Sequence, residues 1–180
     1  MASKPVLQLR KCLVRAYNDE DTHSLAKAAN NPRIAQWMCN TFPQPYTIKD
    51  AENWISITNT PSKLRDFAIC ETSGSLVIGG IGLKARGDIH YRTMEIGYWI
   101  CEEYWHHGIA TEVVSAFSDW AFENFAHLVR LEAEVFEGNF GSCRVLEKAG
   151  FEFEVKRRAA IEKFGDVKDT FIYVKFRAGY

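Results

Sequence analysis

A strand-like run, Glu95-Ile96-Gly97-Tyr98-Trp99, leads through Tyr104-Trp105-His106-His107 to Gly108, where the spacing of apolar residues turns helical. A glycine at the mouth of a helix suits an anion. The first-turn N–H groups lack partners inside the helix, and the helix dipole adds about half a positive charge there. Gly108 lets the backbone approach a phosphate with no Cβ in the way, and small Ala110 helps in the first turn. The same residues also suit an ordinary strand–loop–helix connection, so the loop alone does not decide. A second block, Asn139-Phe140-Gly141-Ser142-Cys143-Arg144-Val145-Leu146-Glu147-Lys148-Ala149-Gly150-Phe151, follows another strand and reads as a short helix. Two other groupings carry less chemistry. Cys101 with His106 and His107 fits no zinc spacing, and no metal is expected. Cys143 lacks a paired histidine and falls on the apolar side of its helix beside Phe140 and Leu146, so it reads as core.

These blocks need elements to hold them. Leu7 to Ala16 alternates as a strand, and Asn18 or Asp19 caps a helix running through Leu25 to Ala29, which Asn30-Asn31-Pro32 stops. A short helix is expected around Ile34 to Met38. Thr47, with Asp50 three residues on, opens a helix whose Ala51, Trp54, Ile55 and Thr58 share one face. Phe67–Glu71 and Leu76–Leu83 pair across Ser73-Gly74-Ser75, and Thr93–Cys101 is the next strand. A helix over Gly108–Phe125 carries a stripe of Ala110, Val113, Val114, Phe117, Ala121 and Phe125. Strand Leu128–Phe136, helix Phe140–Ala149 ending at Gly150, and a hairpin of Glu152–Lys163 with Val167–Phe176 complete the order. All five prolines lie at or before Pro61, which marks an irregular first third. One mixed α and β domain over 1–180 is expected, with its core at about 7–177 and neither a TIM barrel nor a doubly wound nucleotide fold.

Composition narrows the classes. The 180 residues are 47% hydrophobic, enough to bury one core and too apolar for disorder. With 22 Lys and Arg against 23 Asp and Glu, the net charge of -1 disfavours a nucleic-acid partner. No apolar run approaches the ~20 residues of a membrane span, Met1-Ala2-Ser3-Lys4-Pro5 lacks the apolar core of a signal peptide, and Ser62-Lys63-Leu64 is internal. Five cysteines, odd in number and with no CxxC, read as isolated apolar thiols in a reducing cytoplasm. Aromatics are abundant (5 Trp, 7 Tyr, 12 Phe), and Tyr98, Trp99, Tyr104, Trp105, Phe117 and Trp120 fall on the strand, loop and helix of the first block.

Taken together, the two blocks resemble the GNAT superfamily of acetyl-CoA-dependent N-acetyltransferases, and within it the ribosomal-protein N-terminal acetyltransferase branch. The resemblance is carried by Glu95-Ile96-Gly97-Tyr98-Trp99, Gly108, Ala110-Thr111-Glu112, Asn139, Ser142, Arg144-Val145 and Glu147-Lys148-Ala149-Gly150-Phe151, in order and spacing. The element order agrees from about Leu9 to Phe176. The resemblance implies an α+β fold: a central, mostly antiparallel sheet of about seven strands, splayed in the middle and flanked by about four helices. Two positions depart from the pattern. Trp105 stands where the superfamily often has Gln or Arg, and Leu146 where many relatives place the tyrosine that protonates the leaving thiolate.

The implied chemistry is direct attack of a primary amine, on a protein N-terminus or a small molecule, upon the thioester of acetyl-CoA. Glu95 is then the base, or else a ladder-flanking or substrate-orienting carboxylate. Backbone N–H groups near Trp99 and Ile100 stabilise the oxyanion. Ser142 is the acid in place of a tyrosine or a helix cap, and Asn139 contacts the pantetheine arm or the acceptor. The pyrophosphate falls to backbone groups of His106, His107, Gly108, Ile109, Ala110 and Thr111, with the Thr111 hydroxyl assisting. The 3′-phosphate or adenine end falls to Arg144 and Lys148, where Lys148 reads equally as part of a solvated helix face. The acceptor wall is expected from 37–57 and 156–169, with Trp54 in the core. The rival reading is a non-catalytic acyl-CoA-binding or regulatory module. A site for another nucleotide is disfavoured, since neither GxGxxG nor a Walker lysine is present. The protein is expected in the cytoplasm as a monomer or homodimer, without membrane partners.

Overall fold

The computed structural model describes residues 4–60 and 65–180. The readings made at Met1-Ala2-Ser3, at Pro61 and at Ser62-Lys63-Leu64 lie outside these. The described residues form eight strands, mostly antiparallel, and five α-helices, a mixed α and β fold. The chain divides into two compact units, one of 1–82 with 98–110 and one of 83–97 with 111–180.

The first unit opens with a tight hairpin, β1 (Leu7–Gln8) and β2 (Leu13–Arg15), with Leu7 opposite Val14. The single strand expected over Leu7–Ala16 is therefore two. Leu9 N–H donates to the Cys12 carbonyl at 2.9 Å, folding Arg10 and Lys11 into a turn that no glycine or proline announces. Helix α1 (Thr22–Ala29) follows a 3-10 turn at Asp19–Asp21. That turn is fixed by a buried ion pair, with both Arg15 terminal nitrogens 2.7 Å from the Asp21 oxygens. α2 (Pro32–Ala35) begins two residues earlier than expected, because Asn31 caps the Arg33 N–H and Pro32 takes the first position, where its missing N–H costs nothing. In α3 (Ile48–Thr58), Thr47 and Asp50 form a reciprocal capping box. Ala51, Ile55 and Thr58 are buried as the spacing predicts, but Trp54 is 37% exposed and does not join the core. β3 (Asp66–Cys70) pairs antiparallel with β2 and with the start of β4 (Val77–Ala85) around Gly74. β4 in turn accepts the Cys101 N–H on the Ile78 carbonyl at 2.7 Å, just past the end of β5 (Thr93–Ile100). A Cβ added at Gly79 would stand 2.4 Å from the Trp99 carbonyl oxygen, so only glycine lets β4 lie that close to Trp99 and Ile100.

In the second unit, α4 (Ile109–Asn124) buries Val113, Val114, Phe117, Ala121 and Phe125, which is the expected stripe apart from partly exposed Ala110. Phe117 and Trp120 stack with centroids 5.0 Å apart, so these two aromatics of the first block serve packing. β6 (Arg130–Phe136) runs parallel to β5 and antiparallel to β8 (Asp166–Phe176), which pairs in turn with β7 (Glu152–Lys163). α5 (Phe140–Lys148) ends at left-handed Gly150, as expected. It buries Cys143 and Leu146 but leaves Phe140 60% exposed, so Phe140 is not on the apolar side. The extra strand relative to expectation comes from the β1–β2 break, and the short helix expected around Ile34 to Met38 is α2, the fifth helix beside the four or so that the resemblance implied.

No described helix is long and apolar enough to cross a membrane. All five cysteines are free. Cys12, Cys70 and Cys143 are buried, whereas Cys39 is exposed rather than an apolar core thiol.

Candidate active site

The loop before α4 and the first two residues of that helix, Ile109 and Ala110, belong to the first unit, and α4 from Thr111 on to the second. His106 and Gly108 both adopt left-handed backbone conformations, at φ of 63° and 75°. Left-handed residues interleaved with others turn successive N–H groups toward one concavity, an arrangement that suits anions. Gly108, just before the first helical residue, has no side chain with which to cap the helix. Side chains distant in sequence hold the loop. The Lys11 ammonium donates to the His107 carbonyl. Glu102 accepts from Asn31 at 2.7 Å and pairs with Arg33, whose guanidinium lies over the Trp105 ring at 5.2 Å. Trp105 Nε1 donates to the Ile100 carbonyl at 2.7 Å. Tyr104 donates to Glu71, and that hydrogen bond, with some desolvation, pushes its hydroxyl up to about 12. Trp105, which departs from the more usual Gln or Arg, thus ties the loop to the end of β5. Trp99 packs edge-on against Phe42 and, with it, onto the core of this unit.

Glu95 stands in the second unit on the half-exposed face of β5. The parallel β5–β6 ladder has Glu95 opposite Glu132 as its last pair, while β6 continues against β8 to Phe136. Beyond Glu95, β5 runs on through Ile96 and Gly97. The Glu95 carboxylate is 3.8 Å from the Arg86 guanidinium, which is 2.7 Å from Glu132. Arg86 is thus shared by the two carboxylates of that last pair.

Asn139 caps α5, its Oδ1 accepting the Ser142 N–H at 3.2 Å. Helix capping therefore falls to Asn139, with Ser142 in the first turn as the recipient. Leu146, at the position of the missing tyrosine, is fully buried. A different tyrosine lies against this helix. Tyr173 on β8 donates to Glu147 at 3.1 Å, and burial, then Cys143 and Glu147, hold its hydroxyl above the usual tyrosine range. Arg144 and Lys148 are exposed.

The expected site residues therefore sort by unit. Trp99, Ile100, His106, His107, Gly108, Ile109 and Ala110 come together in the first. Glu95, Thr111, Asn139, Ser142 and Arg144 are in the second. Sequence reasoning missed Lys11, Arg33 and Glu71, whose partners are 96, 69 and 33 residues away. It also missed Arg86, which strand pairing would have found, since its N–H donates to the Thr93 carbonyl across the β4–β5 hairpin. Among the described residues no group of His, Cys, Asp or Glu side chains gathers that could hold a metal ion.

A glycine-fronted helix after a strand is followed here by a strand and a second short helix that ends before Gly150-Phe151. Residues 11–152 match the model of the acetyltransferase (GNAT) domain, and the chain belongs to this family. It is 29% identical to the uncharacterized N-acetyltransferase YoaA of Bacillus subtilis (strain 168), over 94% of this chain and 95% of that one. Among solved structures it shares its fold with RimL, a ribosomal-protein α-N-acetyltransferase in complex with coenzyme A (TM-score 0.83, 16% identity, 96% and 98% of the two chains). It also shares its fold with Mycobacterium smegmatis RimJ in complex with a CoA disulfide (TM-score 0.77, 22% identity, 92% and 81% of the two chains).

Proposed function

We propose that this chain, acting as one domain over residues 1–180, moves an acetyl group from acetyl-CoA to a primary amine by direct attack. The observation that carries the reading is the start of α4: left-handed His106 and Gly108 lead into a 16-residue helix whose preceding residue has no side chain to cap it. Acetyl-CoA supplies the acetyl group as a thioester. His106, His107, Gly108, Ile109, Ala110 and Thr111 are assigned to its pyrophosphate, through backbone N–H groups and the Thr111 hydroxyl, and Arg144 to its 3′-phosphate or adenine end. CoA complexes of neighbours with the same fold support this assignment. Backbone cradling also explains why a chain of net charge -1 can hold a polyanion.

An acceptor ammonium, of pKa about 8 at a protein N-terminus or about 10 on an alkylamine, is mostly protonated and unreactive at neutral pH. Glu95 is assigned to take its proton, directly or through water, a contribution of roughly 10²–10⁴-fold. The freed amine attacks the carbonyl carbon, and backbone N–H groups near Trp99 and Ile100 stabilise the oxyanion as it develops. Collapse breaks the C–S bond, and the extra proton that the attacking nitrogen must lose replaces the one that the Ser142 hydroxyl passes to the thiolate, so that serine ends neutral. A thiol of pKa about 8.5 leaves readily enough for a weak acid. Asn139 spends its side-chain oxygen on the α5 cap and keeps its amide donors for the pantetheine arm or the acceptor. The reaction is placed in the cytoplasm, with a protein N-terminus or a small amine as acceptor, no nucleic acid or membrane partner, and the enzyme a monomer or homodimer.

Buried Leu146 favours the second reading, an acyl-CoA-binding module without turnover. Thiol release from acetyl-CoA across a panel of N-terminal peptides, polyamines, amino acids and aminated small molecules separates the two. Amine-dependent release establishes the enzyme. CoA binding without release by any amine establishes the binder. Absence of CoA binding overturns both.

A further inference from the structure

We infer that Lys11, in the β1–β2 turn, is a phosphate-binding residue of the coenzyme site, its ammonium donating to a pyrophosphate oxygen at the start of α4. The inference rests on the reading of that helix start as the coenzyme cradle. Three observations within the first unit carry it. Lys11 Nζ donates to the His107 carbonyl, which leaves two of the ammonium's three N–H donors beyond that bond. A Cβ built on Gly108 would stand 2.8 Å from Lys11 Nζ, so the ammonium occupies the space that the missing side chain opens. Finally, the loop is anchored without Lys11, by Glu102 with Asn31 and Arg33, by Tyr104 with Glu71, and by Trp105 with the Ile100 carbonyl.

The electrostatics point the same way. A cation beside a helix N-terminus adds to the positive end of the dipole, an arrangement that weakens a helix unless an anion is bound there. Lys11 approaches that end from a turn 96 residues away in sequence. Gly108 then serves two ends, its left-handed backbone and the room for an ammonium. The resulting site joins fixed backbone donors to one mobile point charge. That division suits a coenzyme which must be gripped during transfer and released afterwards.

The test is calorimetric binding of CoA and of 3′-dephospho-CoA to wild type, Lys11→Met and Lys11→Arg, with acetyl-CoA KM and kcat measured for each. Lys11→Met is expected to weaken both ligands about tenfold (about 1.4 kcal/mol) and to raise KM with kcat within twofold. The wild-type loss of affinity with added salt should become shallower, and Lys11→Arg should recover most of the binding. Loss confined to CoA would move the contact to the 3′-phosphate and overturn the pyrophosphate assignment. Unchanged affinity in Lys11→Met, or a lower melting temperature with KM unaltered, would make Lys11 a loop anchor only. Wild type that binds neither ligand would instead defeat the coenzyme reading itself, and this proposal with it.

Discussion

Three helices of this protein begin in different ways. α3 is closed by its own side chains, with Thr47 and Asp50 satisfying each other's backbone N–H groups. α5 is closed by Asn139, whose oxygen takes the Ser142 N–H. α4 is entered through left-handed His106 and Gly108, with Gly108 at the position where the other two helices carry their caps. The scaffolding around these starts differs in the opposite sense. The α3 and α5 caps are local, within three residues. The loop before α4 is held by Asn31, Arg33 and Glu71 from distant parts of the first unit. The α3 and α5 starts are closed by their own caps, whereas the start of α4 has no capping side chain at Gly108 and borrows rigidity from elsewhere.

Substitutions can break this comparison. The largest effect is expected at the carboxylate assigned to the chemistry rather than at any helix start. Glu95→Gln should lower kcat by about 10² or more and leave CoA affinity within threefold. Equal losses in both would make Glu95 structural. Next comes Gly108→Ala. A left-handed alanine costs about 1–2 kcal/mol, and its Cβ would displace the Lys11 ammonium. CoA affinity should fall about tenfold or more, with a lower melting temperature.

Asn139→Ala should behave the other way round. Losing a helix cap costs about 0.5–2 kcal/mol, or roughly 2–4 °C in Tm per kcal/mol at this size, while CoA affinity changes only a few-fold. The smallest effect is expected at Asp50→Asn, which should reduce Tm slightly and leave CoA binding unchanged. Hydrogen bonds from the Thr47 hydroxyl and backbone N–H hold the Asp50 carboxyl below the usual carboxylate range. Its stabilisation is therefore present above about pH 4 and lost as the pH falls through the folded value. The Tm difference between wild type and variant should vanish in acid.

Much of this was legible in the sequence because it is local. The α3 capping box, the glycine before α4, the buried stripe of α4 and the Gly150 terminus are all set by residues a few positions apart. The reading failed where a local pattern had two physical solutions. Leu7 to Ala16 alternates like one strand, yet Arg10 and Lys11 fold into a turn. Trp54 has helical spacing with Ala51 and Thr58 but lies at the edge of that face, where a large ring stays exposed. Phe140, in the first turn of α5, likewise points out of the core. Long-range ties left no trace in the sequence, because Lys11 and His107 meet only once the whole first unit has formed. The family resemblance supplied the chemistry. Only the folded chain showed which helix start was already closed.

The central claim is that the start of α4, and not that of α5, carries the coenzyme phosphates. CoA titrated calorimetrically into wild type, Gly108→Ala and Asn139→Ala tests it most directly. The account predicts tight binding to wild type, a loss of about tenfold or more in Gly108→Ala and only a few-fold loss in Asn139→Ala. Binding that survives in Gly108→Ala and is lost in Asn139→Ala would contradict it.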